Sequence, residues 1–85
     1  MEYVVVAFRS RSQTVGFSGL LRSHGIENEI INTPKEAGVG CGLSVKISKS
    51  YFSVVKKIVY MARISSFAGF FLVTVVASKK TVRAI

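Results

Sequence analysis

The sequence predicts an α+β fold of the ferredoxin-like type, with a four-stranded antiparallel sheet and two helices on one of its faces. Three observations lead to this prediction. The chain has 85 residues, which is enough for one small domain. Nearly half of the residues (49%) are apolar, so there is sufficient material for a core. The apolar segments follow the order β-α-β-β-α-β, which is typical of this fold.

The first part of the chain predicts a strand, a helix and a second strand. Tyr3–Phe8 is an apolar, β-branched run that suits a buried strand. Ser10 and Gln13 fit a capping box, in which the Gln13 side chain also reaches back to the start of the helix. Apolar residues then recur at helical spacing, and Gly25 is a natural helix end. Ile26–Asn32 predicts a second strand, whose two glutamates favour an edge position.

A long loop and a third strand follow. Thr33–Gly42 is longer than an ordinary hairpin loop of about 2–5 residues, and long loops in compact domains are often functional. In Leu43–Ser48, apolar residues alternate with polar ones, which predicts a strand buried on one face. Ser44 and Lys46 are therefore expected to face solvent.

The last part of the chain predicts a second helix, a fourth strand and a tail. Ser48 or Ser50 can cap the helix. Its apolar stripe comprises Phe52, Val55, Ile58, Val59 and Ala62. Its basic outer face comprises Lys56, Lys57, Tyr60 and Arg63. Phe70–Val76 predicts a strong final strand. We therefore expect one domain over residues 1–78 and a mobile basic tail over residues 79–85.

This arrangement makes the first and third strands central and places the last strand beside the first. The first and last strands are apolar on both faces, so they would leave an apolar patch on the sheet face that carries no helix. Such patches mark interfaces. We expect a second copy of the chain to cover this patch, which makes the protein a homodimer.

The composition limits the class of protein and its partners. Twelve Lys and Arg against four Glu give a formal net charge of +8, which favours acidic protein surfaces or polyanions as partners. The single cysteine excludes an internal disulfide and indicates a reducing compartment, so we expect a cytoplasmic protein. No positively charged leader precedes the first apolar run. Arg63 interrupts the apolar segment 58–77, so we expect a helix and a strand there and no membrane span.

Most kinds of chemical site are excluded by the residues present. A structural zinc site needs four Cys or His ligands, and the chain offers only Cys41 and His24, so we expect no metal and no cofactor. A Ser-His-Asp triad lacks its Asp, and no Walker A sequence is present. The glycine pattern around Cys41 leads into a strand, whereas a dinucleotide-binding pattern opens a helix.

Cys41 remains as the only candidate reactive residue. Gly38, Gly40 and Gly42 allow the backbone to turn its N–H groups inward and support a thiolate, with help from the charge of Lys35. Alternatively, the glycines only form the turn and Cys41 packs beneath it as a small apolar side chain. The residues alone leave both interpretations open.

Three further segments of the chain form a recognisable pattern, and they are Leu20–Ile26 (LLRSHGI), Ile30–Glu36 (IINTPKE) and Cys41–Val45 (CGLSV). In these segments the chain resembles the "Putative Se/S carrier protein-like" family of small bacterial proteins. The pattern can be followed from Tyr3 to Val76. The chain departs from it where Gly38-Val39-Gly40 replaces small polar residues, in its basic second helix and in its longer tail.

The resemblance implies a carrier of sulfur or selenium rather than a stand-alone enzyme. Cys41 would hold a persulfide or selenopersulfide and exchange it with transient protein partners, the donor and acceptor enzymes. Thr33, Pro34, Lys35 and Glu36 would shape the loop around it.

Two other functions remain open at this point. One is a non-catalytic oligomerising or regulatory domain in which Cys41 is inert. The other is an RNA-binding module, which the positive charge favours. Such modules stack bases on aromatic residues of the central strands. The third strand offers Ser44 and Lys46 instead, so nucleic acid is not the expected partner.

Overall fold

The chain forms its helices and strands in the expected order and adds one strand at the C-terminal end. A computed structural model describes residues 1–85. Its elements are β1 (Glu2–Phe8), α1 (Arg11–Ser23), β2 (Glu29–Asn32), β3 (Leu43–Ser48), α2 (Phe52–Ala62), β4 (Phe67–Val76) and β5 (Lys79–Ala84). Single 3₁₀ turns at Lys35–Ala37 and Lys49–Tyr51 precede β3 and α2. The fold is therefore α+β, as predicted.

The strands form one antiparallel sheet in the order β2-β3-β1-β4-β5. β1 pairs with β3 on one side, where Val5 lies opposite Lys46, and with β4 on the other, where Val5 lies opposite Phe71. The predictions that β1 and β3 are interior strands, that β4 lies beside β1 and that β2 is an edge strand are confirmed. The prediction of four strands is wrong, because the sheet has five.

The fifth strand is built from the residues expected to form a mobile tail. Ala77 and Ser78 join β4 to β5, with φ angles of 49° and 67°, and Val76 pairs with Lys79. Two residues at positive φ form the common two-residue hairpin turn, whose usual sequence signal is Asn-Gly or Asp-Gly. The Ala-Ser pair lacks that signal, so the sequence does not predict the hairpin.

The main core lies between the two helices and one face of the sheet. The rings of Phe8 and Phe17 pack there with centroids 5.1 Å apart. Ala62, expected in the apolar stripe of α2, is exposed because the helix ends at this residue. The buried residues of this core are Val4, Val6, Phe8, Phe17, Leu21, Ile26, Val45, Ile47, Val55, Val59, Phe70 and Leu72.

The other face of the sheet is also apolar, and the chain itself covers it. Val5, Ala7 and Val73 on this face have no exposed surface. The β2–β3 loop and β5 both contribute to the cover, and an ion pair of 3.9 Å joins Lys80 of β5 to Glu36 of the loop. The partly buried residues packed here are Tyr3, Ile31, Ala37, Val39, Ala68, Val75 and Val82. The predicted apolar patch is thus closed within one chain, which removes the reason for placing a second copy on it.

The same cover changes the surroundings of the polar residues of β3. Ser44, expected to face solvent, is completely buried, and its hydroxyl lies 2.6 Å from that of Thr33. Lys46 is partly exposed, and its ammonium group lies 4.5 Å from the centroid of the Tyr3 ring. The expectation is therefore wrong for Ser44, because the loop lies over this part of the sheet.

No helix of the protein has the length and apolar character needed to cross a bilayer. The apolar segment 58–77 is divided between α2 and β4, as expected.

Candidate functional site

Cys41 lies where the β2–β3 loop passes the end of β1. Its backbone N–H donates to the carbonyl oxygen of Phe8, the last residue of β1, at 3.0 Å. Gly40 has a φ of 96°, and a Cβ atom at this position would lie 3.1 Å from the same carbonyl oxygen. The close approach of loop and strand therefore requires glycine at position 40, and it fixes the backbone of Cys41 against the sheet.

The sulfur of Cys41 points toward α1, and the residue as a whole is partly exposed. Its Sγ lies 3.6 Å from the hydroxyl oxygen of Thr14 and 3.6 Å from the carbonyl oxygen of Leu43, to which the thiol donates. Cys41 is therefore not fully buried under the loop.

The surroundings of the sulfur change its acidity. Burial raises the pKa of Cys41, and this is the largest single influence. Hydrogen bonds that stabilise the thiolate act in the opposite direction and involve the backbone of Leu43, the side chain of Thr14 and the backbone of Cys41 itself, and the positive charge of Arg11 adds to them. The combined effect lowers the pKa of the thiol below its ordinary value. More of it is therefore present as the thiolate, which is the nucleophilic form.

The start of α1 is held in place from two directions. Ser10 caps the helix by accepting from the Gln13 backbone N–H at 3.2 Å, as predicted. The Gln13 side chain does not complete the capping box. It crosses to the start of β4, where its Oε1 accepts from the backbone N–H of Ser66 at 3.3 Å and from the Ser66 hydroxyl. These bonds tie the helix, and with it Thr14, to the sheet.

Thr14 is a site residue that the sequence analysis missed. It has no exposed surface, although its side chain is polar. Thr14, Phe17 and Leu21 follow at helical spacing, and all three are buried on one face of α1. A polar residue within a buried helical stripe is a signal that could have identified it. Arg11 gives no comparable signal, because the chain has several other arginines.

The residues predicted to shape the loop take several different places. The Thr33 backbone N–H donates to the Gly42 carbonyl oxygen at 2.9 Å and closes the base of the loop. Pro34 is buried at the start of the 3₁₀ turn, and Gly38 ends that turn with a φ of 65°. Glu36 pairs with Lys80 of β5, away from the sulfur.

Lys35 lies in a shallow recess of about 590 Å³ on the loop surface. The recess is lined by Arg9, Thr33, Pro34, Lys35, Gly38, Val39, Gly40 and Gly42. Cys41 is not among these residues. The structure thus groups most of the predicted loop residues together, but it places Arg11 rather than Lys35 as the charge acting on the thiol.

His24 caps the end of α1, where its Nδ1 lies 2.9 Å from the carbonyl oxygen of Leu20. No three side chains of His, Cys, Asp or Glu lie close enough together to hold a metal ion.

The fold and this geometry define a small α+β protein whose one thiol lies on a loop beside a helix start. A family model described as "Putative Se/S carrier protein-like" matches residues 3–65. This match covers most of the chain and includes the loop and Cys41, so the chain belongs to this family. Searches of curated proteins and of solved structures found no match.

Proposed function

We propose that this protein is a sulfur or selenium carrier in which Cys41 holds the transferred atom as a persulfide or selenopersulfide. The observation that supports the proposal most strongly is a partly exposed thiol with a lowered pKa, located in a chain of a carrier family. A carrier thiol must act twice, first as a nucleophile and later as a leaving group. A lower pKa of the leaving thiol favours the second step.

The transfer needs no added oxidant or reductant. In loading, the Cys41 thiolate attacks the outer sulfur of a persulfide on a donor enzyme. A new sulfur–sulfur bond forms at Cys41, the bond in the donor breaks, and the donor cysteine leaves as a thiolate with the electron pair. In discharge, an acceptor nucleophile attacks the outer sulfur of the loaded Cys41, and Cys41 leaves as a thiolate. The same steps apply to selenium.

The loop geometry suits this role because it holds the backbone of Cys41 in place while the residue stays partly exposed. The N–H of Cys41 is bound to β1, and Thr33 closes the loop at its base. We infer that β1, α1, β2, β3, α2 and β4 form a ferredoxin-like unit, that β5 extends its edge, and that this unit is the rigid scaffold. Loops on rigid scaffolds commonly carry binding and catalytic residues.

The proposed partners are donor and acceptor proteins that bind transiently through acidic surfaces. The net charge of +8 favours such surfaces. The predicted basic face of α2 is exposed and provides Lys56, Lys57 and Arg63 for this purpose. A reducing compartment, such as the cytoplasm, suits a protein whose function depends on one free thiol.

The two alternative functions receive less support from the structure. An inert Cys41 would be expected to be fully buried, and this one is not. RNA-binding modules of this architecture use the sheet face that carries no helix. Here the β2–β3 loop and β5 cover that face, and Val5 and Val73 on it are inaccessible.

Sulfur loading tests the proposal. The protein is incubated with a cysteine desulfurase and cysteine, the donor is removed, and the intact mass is measured. We expect the added mass of one sulfur atom, removable by a reducing thiol, and no addition to a Cys41→Ser variant. A native chain that gains no sulfur under conditions that load a known carrier would rule the proposal out.

A further inference from the structure

The hydroxyl group of Thr14 is buried beside the sulfur of Cys41 and has two hydrogen-bond partners within reach. It lies 2.9 Å from the carbonyl oxygen of Ser10, one turn earlier in α1, and 3.6 Å from the Cys41 Sγ. A threonine that donates to the carbonyl four residues earlier is common within helices. The second contact, to the only thiol of the chain, is what distinguishes this threonine.

The number of protons decides how these bonds are arranged. A hydroxyl group has one proton to donate and two lone pairs that accept. While Thr14 donates to Ser10, it can only accept from the thiol of Cys41. The thiol proton has a second acceptor in the carbonyl oxygen of Leu43. In the thiol state, every polar atom of this group therefore has a partner.

Loss of the thiol proton changes this arrangement. The thiolate accepts hydrogen bonds and no longer donates to Leu43 or Thr14. The carbonyl oxygen of Ser10 also accepts from the backbone N–H of Thr14 at 3.0 Å, so it keeps a partner if the hydroxyl turns away. Only the hydrogen atom of Thr14 has to move, by rotation about its C–O bond, for the hydroxyl to donate to the sulfur.

We propose that Thr14 is a catalytic residue of the carrier cycle, whose hydroxyl turns from the carbonyl oxygen of Ser10 to the sulfur of Cys41 whenever that sulfur carries a negative charge. This proposal rests on the proposed carrier function, in which Cys41 is a thiolate before loading and again after discharge. Thr14 then stabilises the attacking form and the leaving form with the same hydrogen bond. A hydrogen bond to a charged group is stronger than one between neutral groups.

Arg11 lies on the same helix and is the charged group that acts on the thiol. Arg9 and Lys35 lie on the recess that Cys41 does not line. Removal of the Thr14 hydroxyl therefore changes a hydrogen bond at the sulfur but no charge near it. A matched variant separates the two contributions, because Arg11→Gln removes the charge and keeps the hydroxyl.

The test is the pH dependence of alkylation of Cys41 by iodoacetamide in the native chain and in variants. Thr14→Val removes the hydroxyl and keeps the shape of the side chain, and Thr14→Ser keeps the hydroxyl. We expect the midpoint for Thr14→Val to move up by about one pH unit, the size expected for one hydrogen bond to a charged group. Thr14→Ser should keep a midpoint near the native one. The rate at high pH, where all of the sulfur is ionised, should stay close to the native value in both variants.

Controls separate an effect on the sulfur from an effect on folding. Circular dichroism identifies any variant that does not fold, and Thr14→Ala serves as a second variant without the hydroxyl. Ser12→Ala removes an exposed hydroxyl from the same helix turn and should leave the midpoint unchanged. Midpoints for Thr14→Val and Thr14→Ala equal to the native one would overturn the proposal. A midpoint for Thr14→Ser that shifts as far as the midpoint for Thr14→Val would also overturn the proposal.

Alkylation needs no donor enzyme, so its outcome is independent of sulfur loading. A shifted midpoint in a native chain that gains no sulfur would refute the carrier function but support the interaction of Thr14 with the thiolate. Unshifted midpoints in a chain that does gain sulfur would refute the role of Thr14 and support the carrier function.

Discussion

Replacement of Gly40 by alanine should detach the loop that presents Cys41. The added Cβ would lie 3.1 Å from the carbonyl oxygen of Phe8, and the φ of 96° is one that side-chain-bearing residues rarely adopt. Strain of this kind costs about 2 kcal/mol. The φ strain remains if the loop shifts only far enough to relieve the close contact with the carbonyl oxygen, and this shift also breaks the hydrogen bond from the Cys41 N–H to Phe8, at about 1 kcal/mol. The variant should therefore lose about 3 kcal/mol of unfolding free energy.

Gly38→Ala is the matched control, because Gly38 also has a positive φ but nothing lies within 4 Å of an added Cβ. Its φ of 65° is close to the left-handed helical value, so we expect a loss of only about 1 kcal/mol. Urea unfolding measures both values. Alkylation adds a local readout, since detachment of the loop takes the sulfur away from Thr14 and raises its pKa. Equal losses in the two variants would refute the close-approach argument.

Three further predictions concern the scaffold. Gly19→Ala should raise the thermal unfolding temperature, because Gly19 is an exposed helical residue whose added Cβ would meet nothing, and alanine is favoured there by about 1 kcal/mol. Removal of residues 79–85 should uncover the second apolar face, so the shortened chain should bind a hydrophobic dye and self-associate in light scattering coupled to size exclusion. Two hydrogen bonds lower the pKa of Glu2, the larger influence coming from Lys49 and the smaller from Thr74. Glu2 therefore stabilises the fold above its unfolded-state pKa and loses this effect as pH falls through its folded-state value, so Glu2→Gln should reduce the loss of stability between neutral pH and about pH 3.

Each of these predictions has an outcome that would contradict it. A lower unfolding temperature in Gly19→Ala would mean that this helix surface has a partner that the single chain does not include. A shortened chain that stays monomeric and binds no dye would mean that β5 is not needed to cover the apolar face. Identical acid sensitivity in the native chain and in Glu2→Gln would mean that the contacts of Glu2 do not persist in solution.

The elements with clear periodicity were predictable from the sequence. β1 is a continuous apolar run, and β3 alternates over its whole length, so both were placed correctly. Interior positions for these two strands followed from the order of elements alone. The start of α1 was also predictable, because Ser10 is a strong helix cap.

β5 and the covered sheet face could not be predicted, for physical reasons that involve particular residues. Ala77 and Ser78 form the hairpin turn without a residue that favours positive φ, so no local signal marks the turn. Val82 is the only large apolar residue between Lys79 and Ala84, which makes the strand look like a basic tail. Burial of Ser44 depends on where the loop folds, and this is a tertiary effect.

The candidate site was predictable in part. Cys41 stands out as the only thiol, and the glycines beside it indicated a special backbone. The direction in which the Cys41 side chain points could not be predicted from the sequence. It depends on the contact between Gly40 and the end of β1, two segments that are far apart along the chain. Thr14 is 27 positions away from Cys41 in the chain, and only the fold brings the two side chains together.

A complete transfer cycle at Cys41 tests the central claim most directly. The protein is loaded from a desulfurase, freed of the donor and treated with cyanide, which removes the outer sulfur of a persulfide as thiocyanate. The proposed function predicts one removable sulfur per native chain, none in Cys41→Ser, and a discharged thiol that accepts sulfur again. Native and Cys41→Ser chains that release equal amounts of thiocyanate, or a native chain that releases none, would contradict the claim that Cys41 carries the transferred atom.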